Sequence, residues 1–290
     1  DALPICKMGR MSGDVTELRA ICEQLARQGG ELVATGRARL DADGALRPAE
    51  TKSSEVDPVT VVDKACERFI AGELARLRPG DGIVGEEGSS TESETGVEWI
   101  IDPIDGTVNF LYGLDNYAVS IGVAVNGELA AGAVFNPQSG ELFSAAAGQG
   151  ATVERDGESS ELRASHETTL ALSLVATGFS YSAAWREQQA RILASVLPAV
   201  RDIRRSGSAA LDLCNVAAGR VDAYYEHGTH PWDYAAGAII ATEAGARVNH
   251  PGLNASGHNG ALTVAAGPGV WEQVCELLNN IGASSPLTSP

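Results

Sequence analysis

The chain has 290 residues, an apolar fraction of 44% and a formal net charge of -17 at pH 7. That length can bury a substantial core in one large α/β domain or two small ones, and the acidity argues against a nucleic-acid surface, which needs clustered Lys and Arg. No apolar run reaches the roughly 18–20 residues of a membrane span and no secretory signal pattern is visible, so a cytoplasmic globular protein with neither nucleic-acid nor membrane partners is expected. Cys6, Cys22, Cys66, Cys214 and Cys275 are scattered without a CxxC pair, which predicts reduced thiols serving mostly as small core residues rather than a disulfide frame or a zinc site.

Residues 1–13 read as a non-native or disordered leader, with Met11 a plausible native start. From Asp14 the pattern changes. Asp14 and Glu17 resemble a capping box, and Val15, Leu18, Cys22 and Leu25 follow at helical spacing. The helix is expected to run to Gly29-Gly30 or, after an interruption, through Glu31–Leu40. Asp41–Glu55, rich in charge, Gly and Pro, reads as a mobile loop. The segment Asp57-Pro58-Val59-Thr60-Val61-Val62-Asp63 then leads into a helix at Lys64–Arg78, stopped by Pro79-Gly80, which would put Asp63 in its first turn. Ile83-Val84-Gly85 is a short apolar run ending in Glu86 and Glu87, and the polar stretch Ser89–Gly96 reads as a mobile cover.

The stretch Trp99–Phe110 carries the densest chemistry. A buried strand, Trp99-Ile100-Ile101, delivers Asp102 and Asp105 at its C-terminal end, and Gly106-Thr107 opens a helix. Pro103 puts the two acids on a bend rather than on successive helical turns. Carboxylates there can hold hard divalent cations, and backbone N–H groups at the helix start suit a phosphate oxygen.

Downstream, Tyr117–Val125, Leu129–Asn136 and Glu141–Ala145 read as an antiparallel meander, with weaker β patterns at Ala151–Arg155 and Leu170–Thr177. Helices are predicted at Trp185–Leu197, Ala209–Ala218, Ala235–Ala244 and Trp271–Leu278, and strands at Val221–Glu226, Ala246–Asn249 and Ala261–Ala266. Trp232-Asp233-Tyr234 puts another carboxylate at a helix start. The organisation expected is one domain over 14–280, with a soft internal boundary near 142–165 and a polar tail at 281–290.

Collected, the acids are Glu86 or Glu87, Asp102, Asp105 and Asp233, with Asp63 and Thr107 nearby. Converging carboxylates repel one another unless cations intervene. An oxygen-only set favours Mg²⁺ over zinc, and two or three ions would support in-line phosphoryl transfer. Asp63 with the Thr107 hydroxyl could orient or deprotonate the attacking water.

Asp57-Pro-Val-Thr-Val-Val-Asp63, Gly85-Glu86-Glu87, the Asp102-Pro-Ile-Asp-Gly-Thr107 core and Trp232-Asp233, in that order from Asp14 to Leu278, resemble the inositol monophosphatase family. The resemblance implies a layered αβαβα sandwich of the α+β class and a magnesium-dependent, lithium-sensitive phosphomonoesterase acting as a homodimer. It further implies that Glu86, Asp102 and the Ile104 carbonyl bind one metal, that Asp102, Asp105 and Asp233 bind a second, and that Glu86 reaches a weaker third. Gly106 and Thr107 would bind phosphate, Asp63 and Thr107 would serve the nucleophilic water, and Asp105, Ala209 and Glu226 would meet the alcohol of myo-inositol 1-phosphate. Related enzymes act on histidinol phosphate, fructose 1,6-bisphosphate or 3′-phosphoadenosine 5′-phosphate. A second phosphate would call for basic residues, and Arg204 and Arg205 are the obvious candidates, though they could equally serve a dimer interface. A regulatory protein-binding role is the alternative from another class.

Overall fold

The computed structural model describes residues 14–42 and 58–288. The expected leader at 1–13 and most of the expected loop at 41–55 lie outside them. The first helix, α1, runs unbroken over Val15–Ala42, opened by Asp14, whose Oδ1 accepts from Thr16 N at 3.0 Å. Glu17 does not close a capping box and pairs instead with Arg78. The expected interruption at Gly29-Gly30 is absent because both glycines face the protein interior. A Cβ on Gly29 would stand 3.2 Å from Cys66 Sγ, and one on Gly30 would run into the Phe135 ring. Each helical glycine costs about 1 kcal/mol against alanine, less than the roughly 1.5–3 kcal/mol gained by each large apolar side chain the close approach helps to bury.

Helix α2 spans Pro58–Leu77, starting six residues earlier than Lys64, with Pro at its first position as helix starts favour. Asp63 therefore lies in the second turn, not the first. Strands β1 (Gly82–Gly85), β2 (Ser90–Thr91) and β3 (Val97–Asp105) follow, then the short helix α3 (Thr107–Tyr112). The meander is β4 (Ala118–Val125), β5 (Glu128–Asn136), β6 (Glu141–Ala146), β7 (Ala151–Arg155) and β8 (Glu158–Glu161). Together these form an eight-stranded sheet in the order β2-β1-β3-β4-β5-β6-β7-β8, with β1 parallel to β3 and the other pairs antiparallel.

The second half comprises β9 (Leu174–Thr177), α4 (Ala183–Val196), β10 (Asp202–Arg204), α5 (Ala209–Ala217), β11 (Ala223–His227), α6 (Pro231–Glu243), β12 (Arg247–Asn249), β13 (Leu262–Ala266) and α7 (Trp271–Asn280). Its strands make a five-stranded sheet, β10-β9-β11-β13-β12. Leu170–Leu172, expected to be strand, is a 3₁₀ turn.

The layers follow from which faces are apolar. One core packs α1 and α2 against Trp99, Ile101, Val119, Ile121 and Val123 of the large sheet. A second lies between the sheets around α5 and α6, and a third packs α7 with Val196 of α4 on the outer face of the small sheet. The result is the layered αβαβα arrangement. Because helices cover both faces of the large sheet, β4 is buried at every position, and its apolar run is continuous rather than alternating. Gly122 and Gly132 let α6 lie close on that sheet; their Cβ atoms would stand 2.8 Å from Ala235 Cβ and Ala236 Cα.

Ser89–Gly96, read as a cover, is an edge strap. It supplies β2 to the edge of the sheet and returns to the start of β3, where Thr95 Oγ1 donates to Asp81 Oδ1 at 2.6 Å and Ser93 Oγ to the Val97 carbonyl at 2.7 Å. Asp81 also accepts from Trp99 Nε1 at 2.9 Å. The segment after α7 folds back: Leu287 N donates to the Gly260 carbonyl, and Trp185 Nε1 donates to the Thr288 carbonyl. Among the described residues, no helix is long and apolar enough to cross a membrane.

Candidate active site

Strand register places the first pair of acids. Parallel pairing of β1 and β3 sets Gly85 opposite Ile101, so the next residues, Glu86 and Asp102, stand side by side and their carboxyl groups share a hydrogen bond. The turn that presents Glu86 is held from α2. The buried Glu67 carboxylate accepts from Glu87 N at 2.7 Å and from Ser89 N at 2.8 Å. Glu87 spends its amide in that clamp and does not line the pocket described below.

Between Asp102 and Asp105 the pairing of β3 with β4 slips. The acids thus lie on an irregular stretch of strand around Pro103, which has no N–H for the ladder. Asp102 Oδ1 accepts from Ile104 N at 3.0 Å, and the Ile104 carbonyl accepts from Thr107 Oγ1 at 3.1 Å. Gly106 turns the chain into α3 with φ of 96°, a conformation that favours glycine; a Cβ there would stand 2.8 Å from the Asn116 carbonyl.

Two helix starts from the second half meet this strand end. Ser208 caps α5 by accepting from Leu211 N at 3.2 Å, and the same hydroxyl donates to Asp105 Oδ2 at 2.5 Å, beside Ala210 N at 2.7 Å. Asp233, in the first turn of α6, accepts from His230 N at 2.7 Å. Glu226 on β11 accepts from Tyr224 Oη at 3.0 Å. Gly178, just past β9, is where the chain passes so close to the Glu226 carboxylate that any side chain would collide with it.

Glu86, Asp102, Ile104, Asp105, Gly106, Thr107, Ala209, Glu226 and Asp233 line one cavity of about 140 Å³, with Gly178, Phe179, Tyr181, Arg205, Gly207 and Thr229 completing its wall. Every sequence-predicted site residue except Asp63 and Glu87, the alternative to Glu86, is therefore on one surface. Asp63 is buried in α2, which packs against α3, and is not part of the lining. Glu67 and Gly178 were not singled out as site residues, Ser208 was given no role of its own, and Arg205 was named only as a candidate for a second phosphate. Glu67 could have been noticed as an acid on the apolar face of α2 four residues after Asp63, and Ser208 as a helix cap; Gly178 carried no local signal.

The acids disfavour one another's charge. Glu86 is solvent-exposed as a residue, yet desolvation of its carboxyl raises it to about 7, with repulsion from Asp105, Glu87 and Glu67 adding to the rise. Burial holds Asp102 well above the usual carboxylate range, reinforced by Glu86, Asp105 and Asp233. Asp233 is likewise raised by burial and then by Asp105. Burial brings Asp105 to about 6 against the lowering effect of Ser208 and the Ala210 amide. Burial also takes Glu226 to about 7, opposed by Tyr224 and Arg205. A divalent cation relieves such a cluster, and four carboxylates with a carbonyl are a hard, all-oxygen donor set of the kind Mg²⁺ takes. Among the described residues no three His, Cys, Asp or Glu side chains are already arranged to hold an ion. That agrees with the internal partners that Asp105 and Asp233 have taken in Ser208, Ala210 N and His230 N. The donor set fits a metal by its chemistry, Ser208, Ala210 N and His230 N each bonding only the Oδ2 of its carboxylate.

A sequence profile of the inositol monophosphatase family matches residues 14–282. "Inositol-1-monophosphatase SuhB" of Mycobacterium tuberculosis H37Rv is 47% identical over 292 aligned residues, covering 97% of this chain and 99% of that protein. A solved structure, "Mycobacterium tuberculosis SuhB", superposes with a TM-score of 0.82 at 45% identity, covering 94% of this chain and all of the other. "Nus factor SuhB" of Escherichia coli K12 is 39% identical over 255 residues, covering 86% of this chain and 91% of that one.

Proposed function

Given that the chain belongs to the inositol monophosphatase family and is a phosphatase, we propose that it hydrolyses myo-inositol 1-phosphate with Mg²⁺ as its metal. The observation that carries this reading is the convergence of Glu86, Asp102, Asp105, Asp233, Thr107 and Glu226 on one cavity. Glu86, Asp102 and the Ile104 carbonyl would hold one ion, Asp102, Asp105 and Asp233 a second, and Glu86 a weaker third. Bound there, the ions supply charge neutralisation and a water more acidic than bulk water.

The residues of the chain do the rest. Thr107 Oγ1 at the cavity wall orients the attacking water, and the Asp63 carboxylate, buried in α2 outside the lining, takes its proton by way of that hydroxyl. Gly106 and Thr107 bring backbone N–H groups to the phosphate oxygens. Water adds to phosphorus in line, the ester P–O bond breaks, and the alcohol oxygen leaves and takes up a proton. Asp105, the Ala209 backbone and Glu226 meet ring hydroxyls, for which the Tyr224–Glu226 bond fixes the acceptor. We further propose one phosphatase unit over 14–280, acting as a cytoplasmic homodimer and sensitive to lithium.

Phosphate release from myo-inositol 1-phosphate, histidinol phosphate and fructose 1,6-bisphosphate, each with Mg²⁺ and with chelator, tests the reading. Mg²⁺-dependent turnover fastest on the inositol ester is expected. Faster turnover of another ester overturns the Glu226 assignment, and no turnover of any overturns the catalytic reading. In that last case the match to a protein named a Nus factor would favour a protein-contact role.

A further inference from the structure

Residues 281–290, expected to be a polar tail, are described as far as Thr288, and from Ala283 onward they lie on the fold as a strap. Ala283 and Leu287 are buried. The Ala283 carbonyl accepts from His227 Nε2 at 2.7 Å, so that ring nitrogen is the donor, and Leu287 N donates to the Gly260 carbonyl at 2.9 Å. At its far end the strap engages α4. The Thr288 carbonyl accepts from Trp185 Nε1 at 2.9 Å and from Gln188 Nε2 at 3.2 Å. Gln188 Oε1 in turn accepts from Thr288 N at 3.1 Å and from Thr288 Oγ1 at 3.0 Å.

The same part of α4 supports one side of the cavity. Trp185 lies in its first turn, capped by Ser182, and the indole fills the space at Gly228, where a Cβ would stand 2.7 Å from Cζ3. Gly228 sits between Glu226 and Thr229, both on the cavity wall, and His227 follows Glu226 on β11. A second stretch of wall, 178–181, hangs on the same turns of α4. Ser180 N donates to Gln189 Oε1 at 3.0 Å, and Arg186 Nη1 donates to the Ser180 and Tyr181 carbonyls at 3.0 and 2.8 Å. The acids proposed to hold metal rest on other supports: Glu86, Asp102 and Asp105 at the ends of β1 and β3, and Asp233 on α6, packed between the sheets.

Resting on the phosphatase reading above, we propose that the 283–288 strap is a positioning element for the alcohol side of the cavity, acting through Trp185 and Gln188. A loop stretch keeps much backbone freedom unless it is tied to ordered neighbours, and each tie removes part of that freedom. The strap therefore sets how tightly the alcohol part of the ester is held and leaves the handling of phosphate alone. Loss of such uniform binding raises KM with kcat unchanged.

Trp185→Phe keeps an aromatic ring and removes its donor to Thr288, Gln188→Leu removes the Gln188 bonds, and Gln188→Glu keeps the acceptor for Thr288 N and Oγ1. Gln273→Leu is the control, because it cuts a like tie, from α7 to the Thr168 carbonyl, that reaches no wall residue. With Mg²⁺, Trp185→Phe and Gln188→Leu are expected to raise KM for myo-inositol 1-phosphate about fivefold, and Gln188→Glu by less. In all of them kcat and the inhibition constant of inorganic phosphate, which carries no alcohol, should stay within about twofold of wild type. Without metal, hydrogen–deuterium exchange over 178–182 should quicken in Trp185→Phe and Gln188→Leu but not in Gln273→Leu. An equal rise in KM and in the phosphate constant, no rise in KM, or the same changes in Gln273→Leu overturns the positioning role. If the wild type does not hydrolyse the inositol ester, the substrate reading fails on its own and exchange alone judges the strap: quicker exchange upholds it, unchanged exchange overturns it.

Discussion

Replacing Ser208 by Ala removes one hydroxyl that serves two partners, Leu211 N as acceptor and Asp105 Oδ2 as donor. Loss of the helix cap costs about 1 kcal/mol. Loss of a hydrogen bond to a buried carboxylate costs about 1.5–3 kcal/mol, and it acts on the ionised form of Asp105. At about 1.36 kcal/mol per pH unit, the titration of Asp105 should move up by roughly one to two pH units from its present position near 6. At pH 7, Asp105 would go from about nine-tenths ionised to between about half and one-tenth. A cation must displace that proton, so Mg²⁺ affinity should fall about two- to tenfold at pH 7 and largely recover by pH 9. Calorimetric titration of Mg²⁺ at the two pH values measures this, with urea unfolding alongside to register the lost cap. A deficit of the same size at both pH values, or none at pH 7, would refute the link between the Ser208 bond and the charge on Asp105.

Four further outcomes are expected. Asp102→Asn should lower Mg²⁺-dependent phosphate release at least about a hundredfold, while the metal-free variant keeps or raises its urea midpoint because one repelling carboxylate is gone; wild-type turnover in that variant would remove Asp102 from the metal site. Gly132→Ala forces a methyl to within 2.8 Å of Ala236 Cα on α6 and should cost about 1–3 kcal/mol in urea unfolding. Gly72→Ala, which meets nothing within 4 Å in α2, should instead gain up to about 1 kcal/mol. In chelator, stability measured by calorimetry should fall between about pH 4.5 and 7. Glu86 and Glu226, near 7, and Asp105, near 6, keep protons in the fold that they lose in the unfolded chain, so the native state binds more protons across that window. Mg²⁺ should restore more stability at pH 7.5 than at pH 5, and a chelated protein that grows more stable across the window would contradict the clustering of these acids.

Much of the candidate site was readable from sequence because local rules place its parts. An apolar run ending in acids, as at Glu86 and Asp102, marks a strand end. Gly106-Thr107 marks a helix start, and Asp233 sits where a first-turn carboxylate finds a free amide. Helix and strand periods likewise gave the meander and most helices within a few residues. Local rules also misled. Two glycines read as a break in α1, and Ser89–Gly96 read as a cover, because sequence shows the intrinsic cost of a residue but not the surface that offsets it.

The sequence by itself determined which residues are available for the chemistry proposed: an all-oxygen set of acids, a hydroxyl beside them, and no His or Cys cluster to compete. Only the tertiary structure decided which of them meet. The parallel register of β1 and β3 joins Glu86 to Asp102, and the docking of α5 and α6 brings Ser208 and Asp233 to a strand end more than a hundred residues earlier in the chain. The same docking sets Arg205 but not Arg204 on the cavity wall and Gly178 under Glu226. These are long-range contacts fixed by how apolar faces pack, and no periodicity within a single segment encodes the partner on the other side.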